Sequence, residues 1–230
     1  MQKTKKYLFL SFLLDVKMSG ELMKKVLSPF ILLIIIIAGC STEGDIKIIN
    51  RTNHNLYFTI KGNDYILEGS ETSNPNMTVS VGTGKQFLFY SEDYVEVDLH
   101  LEGETFMIQD ATIGGQPTGV YFTETTLQVK PKETLKVYCD PTHAGVKLVN
   151  NSAIDVIDLS YYTDDSDTLI SIIDQPIIAG DSTWSRLTAT SAIDLISYSF
   201  VIEFENGFID SSYANIDDLL VDEQLRIELE

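Results

Sequence analysis

The chain has 230 residues, 44% hydrophobic and 10% aromatic, with 34 acidic against 16 basic side chains and a formal net charge of −18. That apolar content is enough for a packed core and excludes a disordered stalk. The negative surface repels phosphate backbones, so no nucleic-acid partner is expected.

The chain opens on an oddity. Lys3, Lys5 and Lys6 precede an apolar stretch, Tyr7–Leu14, which Asp15, Lys17 and Glu21 then break. A second basic cap, Lys24-Lys25, precedes a second apolar run from Val26 to Ala38. A secretory signal needs one basic start, one apolar run and small residues at its end. The initiator is therefore expected at Met23 or Met18, the alternative being a genuine long leader from Met1. The second run is shorter than the roughly 20 residues that span a bilayer, and Pro29 interrupts it. Residues 1–39 are read as leader and signal and set aside from the fold.

The run ends in Ile37-Ala38-Gly39-Cys40. This resembles the lipobox of bacterial lipoproteins: an aliphatic residue, two small ones, then cysteine. The resemblance implies cleavage before Cys40, a thioether-linked diacylglyceryl on its sulfur and a lipid-anchored place in the cell envelope. Each buried methylene is worth about 0.8 kcal/mol, and two or more acyl chains anchor where one does not. Six basic and two acidic residues precede Cys40, leaving 10 basic against 32 acidic from Cys40 onward, a net charge of −22. With Cys40 lipidated, Cys139 has no intrachain partner, and it reads as a small residue inside a strand. Ser41–Asp45 reads as a mobile polar tether.

Beyond the tether the dominant period is two. Val95, Val97, Leu99 and Leu101 alternate with polar residues, as do Tyr198, Phe200, Ile202 and Phe204, and Leu225, Ile227 and Leu229. Each run predicts a strand with one buried face. Asn63-Asp64, Glu102-Gly103-Glu104 and Asn206-Gly207 read as turns, the last as a type I′ hairpin. No long helical period occurs.

A weak internal repeat organises these strands. Ile46-Lys47-Ile48-Ile49-Asn50 matches Val146-Lys147-Leu148-Val149-Asn150. Long strands over 54–61 and 154–162 follow, then Gly84–Tyr90 against Gly180–Leu187, then alternating hairpins, and Glu133–Val137 closes against Glu223–Ile227. The expectation is an all-β fold of two tandem antiparallel sandwiches, 45–140 and 145–230, joined at Asp140–Gly145. Each half has room for about seven short strands. Ala111–Gly119 has no counterpart and is a candidate functional loop.

Chemistry is sparse. The three histidines, His54, His100 and His143, form no zinc-binding pattern, and no nucleophile elbow or phosphate cradle occurs. The acidic turn holding Asp164, Asp165 and Asp167 is the candidate metal site, for calcium, because clustered carboxylates offer hard oxygen ligands. It lacks the glycine of a calcium loop, and adjacent aspartates also serve as solvated turn formers. Trp184, the single tryptophan, reads either as a core residue or as a platform for stacking a sugar ring. No cofactor is expected unless calcium binds.

The layout resembles exported lipoproteins with tandem immunoglobulin-like or transthyretin-like modules, among them polysaccharide-capture proteins and fimbrial subunits. That resemblance implies a non-enzymatic binding, adhesion or assembly role, with the membrane, and a glycan or another envelope protein, as partners. A calcium-dependent or carbohydrate-binding module is the alternative, and an envelope hydrolase a third.

Overall fold

The computed structural model describes residues 41–85, 94–110, 119–191, 195–217 and 219–230, and every regular element among them is a β-strand. None of the described residues forms a helix long and apolar enough to cross a membrane. The fold is all-β, two sandwiches in tandem whose strands pair antiparallel except for one parallel pairing in each, residues 45–50 with 134–139 and 145–150 with 224–229.

The first sandwich is built from β1 (Ser41–Asn50), β2 (Leu56–Ile60), β3 (Asn63–Leu67), β4 (Asn76–Lys85), β5 (Val95–Gly103), β6 (Ile108–Gln109), β7 (Tyr121–Phe122), β8 (Glu124–Val129) and β9 (Thr134–Cys139). One sheet has the order β4-β1-β9 and faces another of order β3-β2-β5-β8, with β6-β7 as a small separate ladder. The second is built from β10 (Ala144–Asn150), β11 (Val156–Thr163), β12 (Ser166–Ser171), β13 (Ser182–Leu187), β14 (Tyr198–Phe204), β15 (Ile209–Asp210) and β16 (Gln224–Leu229). Its sheets, β13-β10-β16 and β12-β11-β14-β15, repeat the first arrangement. In each, the opening strand runs antiparallel to one neighbour and parallel to the closing strand.

The period-two pattern has its cause in two separate cores. Ile46, Ile48, Phe58, Leu99 and Leu101 are buried with Cys139 in the first, and Val146, Leu148, Phe200, Ile202 and Ile227 in the second. Asn50 and Asn150 end the two opening strands, both without exposed surface. Asn50 donates to the carbonyls of His54 (2.8 Å) and Leu67 (3.3 Å) and accepts from the Thr52 amide and hydroxyl, each at 2.9 Å. Asn150 donates to Ile154 (2.9 Å) and Ile177 (3.0 Å) and accepts from the Ser152 amide (3.2 Å) and hydroxyl (2.6 Å). An amide fits because one side chain supplies both donors and acceptors to a buried turn.

Five local expectations change. Of the expected turn Glu102-Gly103-Glu104, Glu102 and Gly103 belong to β5, paired with Tyr57 and Leu56, and the chain turns between Gly103 and Phe106. Ser41–Asp45 is no tether: it is the start of β1, pairing Ser41 with Lys85 and Glu43 with Gly82, because β4 runs on far enough to template it. The counterpart of β13 is β4, which pairs with β1 as β13 pairs with β10, and not the stretch Gly84–Tyr90, most of which lies outside the described residues. The first hairpin turn is Lys61-Gly62, with φ of +52° and +74°, the positive values of a type I′ turn, while Asn63 and Asp64 belong to β3. At Asn206-Gly207 only the glycine has positive φ (+80°), because Glu203 pairs with Ile209 and leaves a loop too long for a two-residue turn.

Candidate functional site: the seam between the sandwiches

Glu104 follows β5 in what reads as a polar turn, yet it is 2% exposed. Its Oε1 accepts from the Tyr57 hydroxyl and from Lys147 Nζ, each at 2.9 Å, and its Oε2 from Gln224 Nε2 at 2.8 Å. Tyr57 is on β2 of the first sandwich, whereas Lys147 and Gln224 come from the opening and closing strands of the second. Those strands run side by side, Gly145 opposite Gln224 and Lys147 opposite Arg226, so both donors leave one sheet toward the same carboxylate. Gly145 allows the approach, since a Cβ there would stand 3.0 Å from the Glu104 carbonyl oxygen.

A second ion pair flanks the first. Arg186 Nη1 donates to Glu102 Oε2 at 2.9 Å and to the Gly103 carbonyl at 3.1 Å. Its guanidinium also stands 5.1 Å from the centre of the Trp184 ring, which stacks on Tyr57 with centroids 5.4 Å apart and planes within 8°. Trp184 is thus half-buried between the sandwiches, outside both cores, with one face covered by tyrosine. Its neighbours Thr183 and Ser185 are in register with the core residues Leu148 and Val146, on the opposite face of β13, whereas Trp184 is in register with Lys147 and faces the other sandwich.

The third part is a turn. Asp222, at a left-handed φ of +70°, accepts from the Asn53 amide (2.9 Å) and the Thr105 hydroxyl (2.8 Å), and its carbonyl meets His54 Nε2 at 2.9 Å. The joining segment lies in the same seam. The Thr142 and His143 amides both donate to the Thr105 carbonyl at 3.0 Å, and the Met107 amide donates to Thr142 Oγ1 at 3.0 Å. The Tyr121 ring meets His143 edge-on at 4.7 Å.

Electrostatics follow from this geometry. Burial alone would raise the Glu104 pKa, but hydrogen bonds from Lys147, Gln224 and Tyr57, with the Lys147 charge, outweigh it and hold the carboxyl below its ordinary value. Burial, with the Glu104 charge behind it and a contact to Asn55 opposing, pushes the Tyr57 hydroxyl up to about 12. Burial and then the Arg186 charge hold His143 below the ordinary histidine value. The seam is therefore a set of charges and donors that saturate one another. Such a cluster positions two bodies.

The residues singled out in the sequence are scattered. Asp164 and Asp165 form the tip of the β11–β12 hairpin, where Asp164 Oδ1 accepts from the Ser197 amide at 3.1 Å. The side chain of Asp167 lies outside the described residues, and among those described no three His, Cys, Asp or Glu converge as metal ligands. Asp158, one strand earlier, is held by Ser160 and Ser171. Cys139 is buried at the end of β9, and burial with the neighbouring Asp140 pushes its thiol up to about 12, far from a reactive thiolate. Cys40 and 111–118 lie outside the described residues. Open clefts occur among the described residues. One, of about 600 Å³, lies over the outer face of β5 and is lined by Thr59, Glu96, Asp98, His100, Glu124 and Thr126. Another, of about 420 Å³, is lined by 172–177, 181–183 and Trp184.

No family model matches the sequence, and no curated protein is similar to it. Among solved structures, the chain is similar to the Bacillus anthracis TIE protein at 8% identity and a TM-score of 0.28, over 82% of this chain and 34% of that one. It spans about a third of that protein's length. A DUF3823 family protein from Bacteroides ovatus aligns at 7% identity and TM-score 0.23, over 77% of this chain and 99% of its own. The major pilin T-13 of Streptococcus pyogenes aligns at 10% identity and TM-score 0.24, over 82% and 97%. At such scores the likeness carries no argument about function.

Proposed function

We propose that this chain is a lipid-anchored cell-envelope protein with a non-enzymatic binding, adhesion or assembly role, its two sandwiches (45–140 and 145–230) held as one rigid piece. The observation that carries this reading is the lipobox-like Ile37–Cys40, together with the start of β1 at Ser41, immediately after the cysteine. The non-enzymatic part is supported by the seam, where the most buried carboxylate among the described residues and two of the three histidines are taken up in joining the sandwiches. The partners in this reading are the membrane, through the lipid, and a glycan or another envelope protein.

The test is metabolic labelling with palmitate in a bacterial host. The natural chain should incorporate label, and Cys40→Ala should abolish it. Labelling that persists in the variant rejects the anchor. Turnover in a broad esterase, peptidase and glycosidase screen that one point substitution removes would reject the non-enzymatic role.

A further inference from the structure

The internal repeat extends to the seam itself. Both sandwiches have a head, where the opening strand begins, and a tail, where it ends. At the heads, the Asp45 amide donates to the Glu133 carbonyl and Gly145 to Glu223, both at 2.9 Å; Lys132 donates to Glu43 at 2.8 Å and Asp222 to His143 at 3.0 Å. Lys132 and Asp222 share the left-handed conformation, at φ +61° and +70°. Lys47 and Lys147 then occupy the same position on their opening strands. At the tails, the Glu104 amide donates to the Asn55 carbonyl at 3.1 Å and Glu205 to Asp155 at 2.9 Å. Glu205 is thus the counterpart of Glu104, and Glu203 of Glu102.

The seam is a tail holding a head. One tail and one head stay uncovered within the chain: the tail of the second sandwich and the head of the first. Their surfaces differ in charge. The second sandwich has three cations, Lys147, Arg186 and Arg226, and the first two are in the seam. Its open tail carries Asp155, Glu203 and Glu205 with no Lys or Arg between Lys147 and Arg186 or between Arg186 and Arg226. The open head carries Lys47, Lys130 and Lys132, three of the ten cations that follow Cys40, alongside Glu43, Asp45 and Glu133. Exposed apolar side chains accompany both ends: Ile154 (37%) and Phe208 (60%) at the tail, and Tyr94 (42%) at the head, next to the Val95–Val129 pair and Lys130.

We propose that the open tail holds the head of a second copy, so that copies associate head to tail with Lys47 of one against Glu205 of the next. The occupant follows from the seam already present: the same backbone turns meet, and a lysine from the same strand position reaches a glutamate in the same turn. Trp184, Arg186 and Gln224 have Thr78, Ser80 and Thr134 as their counterparts at the open head, read from the strand pairing. The contact between copies is therefore looser than the seam. A head-to-tail contact is heterologous and propagates unless it closes into a ring. The inference does not depend on the lipid anchor.

The test uses Ser41–Glu230, which carries every strand described above, in sedimentation equilibrium over a dilution series at about 0.15 M salt, where the Debye length of about 8 Å screens the long-range repulsion between acidic copies. Concentration-dependent association is expected. Lys47→Glu alone and Glu205→Lys alone should each weaken it about tenfold, and the doubly reversed chain should recover it. Trp184 emission reports that the variants keep the seam. A monomer at every concentration overturns the proposal. So does a doubly reversed chain no better than either single variant. An association that Phe208→Asp disperses while Lys47→Glu leaves it intact also overturns it, since that pattern belongs to two tails meeting each other.

Discussion

Two ends of one design meet different fates in this molecule. The tail of the first sandwich and the tail of the second are each closed by a buried asparagine and each present a glutamate after the alternating strand. Glu104 is 2% exposed and holds three partners, while Glu205 is exposed. The side chains around them have diverged to match: His54 at the covered end reaches across to Asp222, and its counterpart Ile154 stands in solvent. The sheets diverge too. Strand β8 pairs with β5 over six positions, whereas β15 pairs with β14 over two. The rest of the β14 edge is satisfied by loop backbone, the Phe200 amide donating to the Tyr213 carbonyl and Tyr198 exchanging bonds with Ile216. The lesson is that the backbone plan is set by the sandwich core alone, and the chemistry at each end by what covers it.

The comparison breaks most visibly at the two glutamates. Glu104→Ala leaves Lys147 without its counter-charge in a largely dry seam and should lower stability by about 3 kcal/mol in urea unfolding, whereas Glu205→Ala should cost less than about 0.5 kcal/mol. Equal effects would mean that the seam does not hold. The two asparagines should behave alike: Asn50→Ala and Asn150→Ala each strand buried carbonyls and amides and should cost about 2 kcal/mol in the same assay. A cost at one and not the other would show that the repeat is not energetic.

A smaller effect concerns the stack. Tyr57→Leu and Trp184→Leu, alone and together, form a double-mutant cycle expected to give a coupling of about 1 kcal/mol. Additive losses would mean that the rings touch without stabilising. The smallest effect is in pH. The Glu104 pKa is depressed, so its stabilisation is present above the ordinary value of 4.5 and fades as pH falls through the folded value. His143 is depressed below 6.5, so the unfolded chain takes up the proton first and stability also declines as pH drops beneath 6.5. Tyr57 is raised from 10.0 to about 12, so stability is lost again as pH rises between those values. The urea midpoint should therefore form a plateau between pH 6.5 and 10 with a shoulder on both sides. Glu104→Gln should flatten the acid limb below pH 4.5, and a limb unchanged by that substitution would assign it elsewhere.

The sequence by itself determined the all-β class and the repeat, because alternation reports directly which face of a strand meets its own core; the parallel pairing of opening with closing strand came only from the structure. The sequence also marked the lipobox-like stretch, where residue types alone carry the meaning. Only the tertiary structure decided what Glu104, Trp184 and Asp222 do. Glu104 reads as a turn residue and Trp184 as a core or ligand-facing ring, because period-two reasoning sees burial against the partner sheet and is blind to burial against another sandwich. The partners of Glu104 stand 47 positions before it and 43 and 120 positions after it, and no local pattern encodes a contact at that distance. The available signal was the repeat itself: Lys147 and Lys47, like Glu104 and Glu205, are matched positions of which one pair member is inside the seam. Which member is covered follows from the order of the sandwiches in space, a property of the assembled fold.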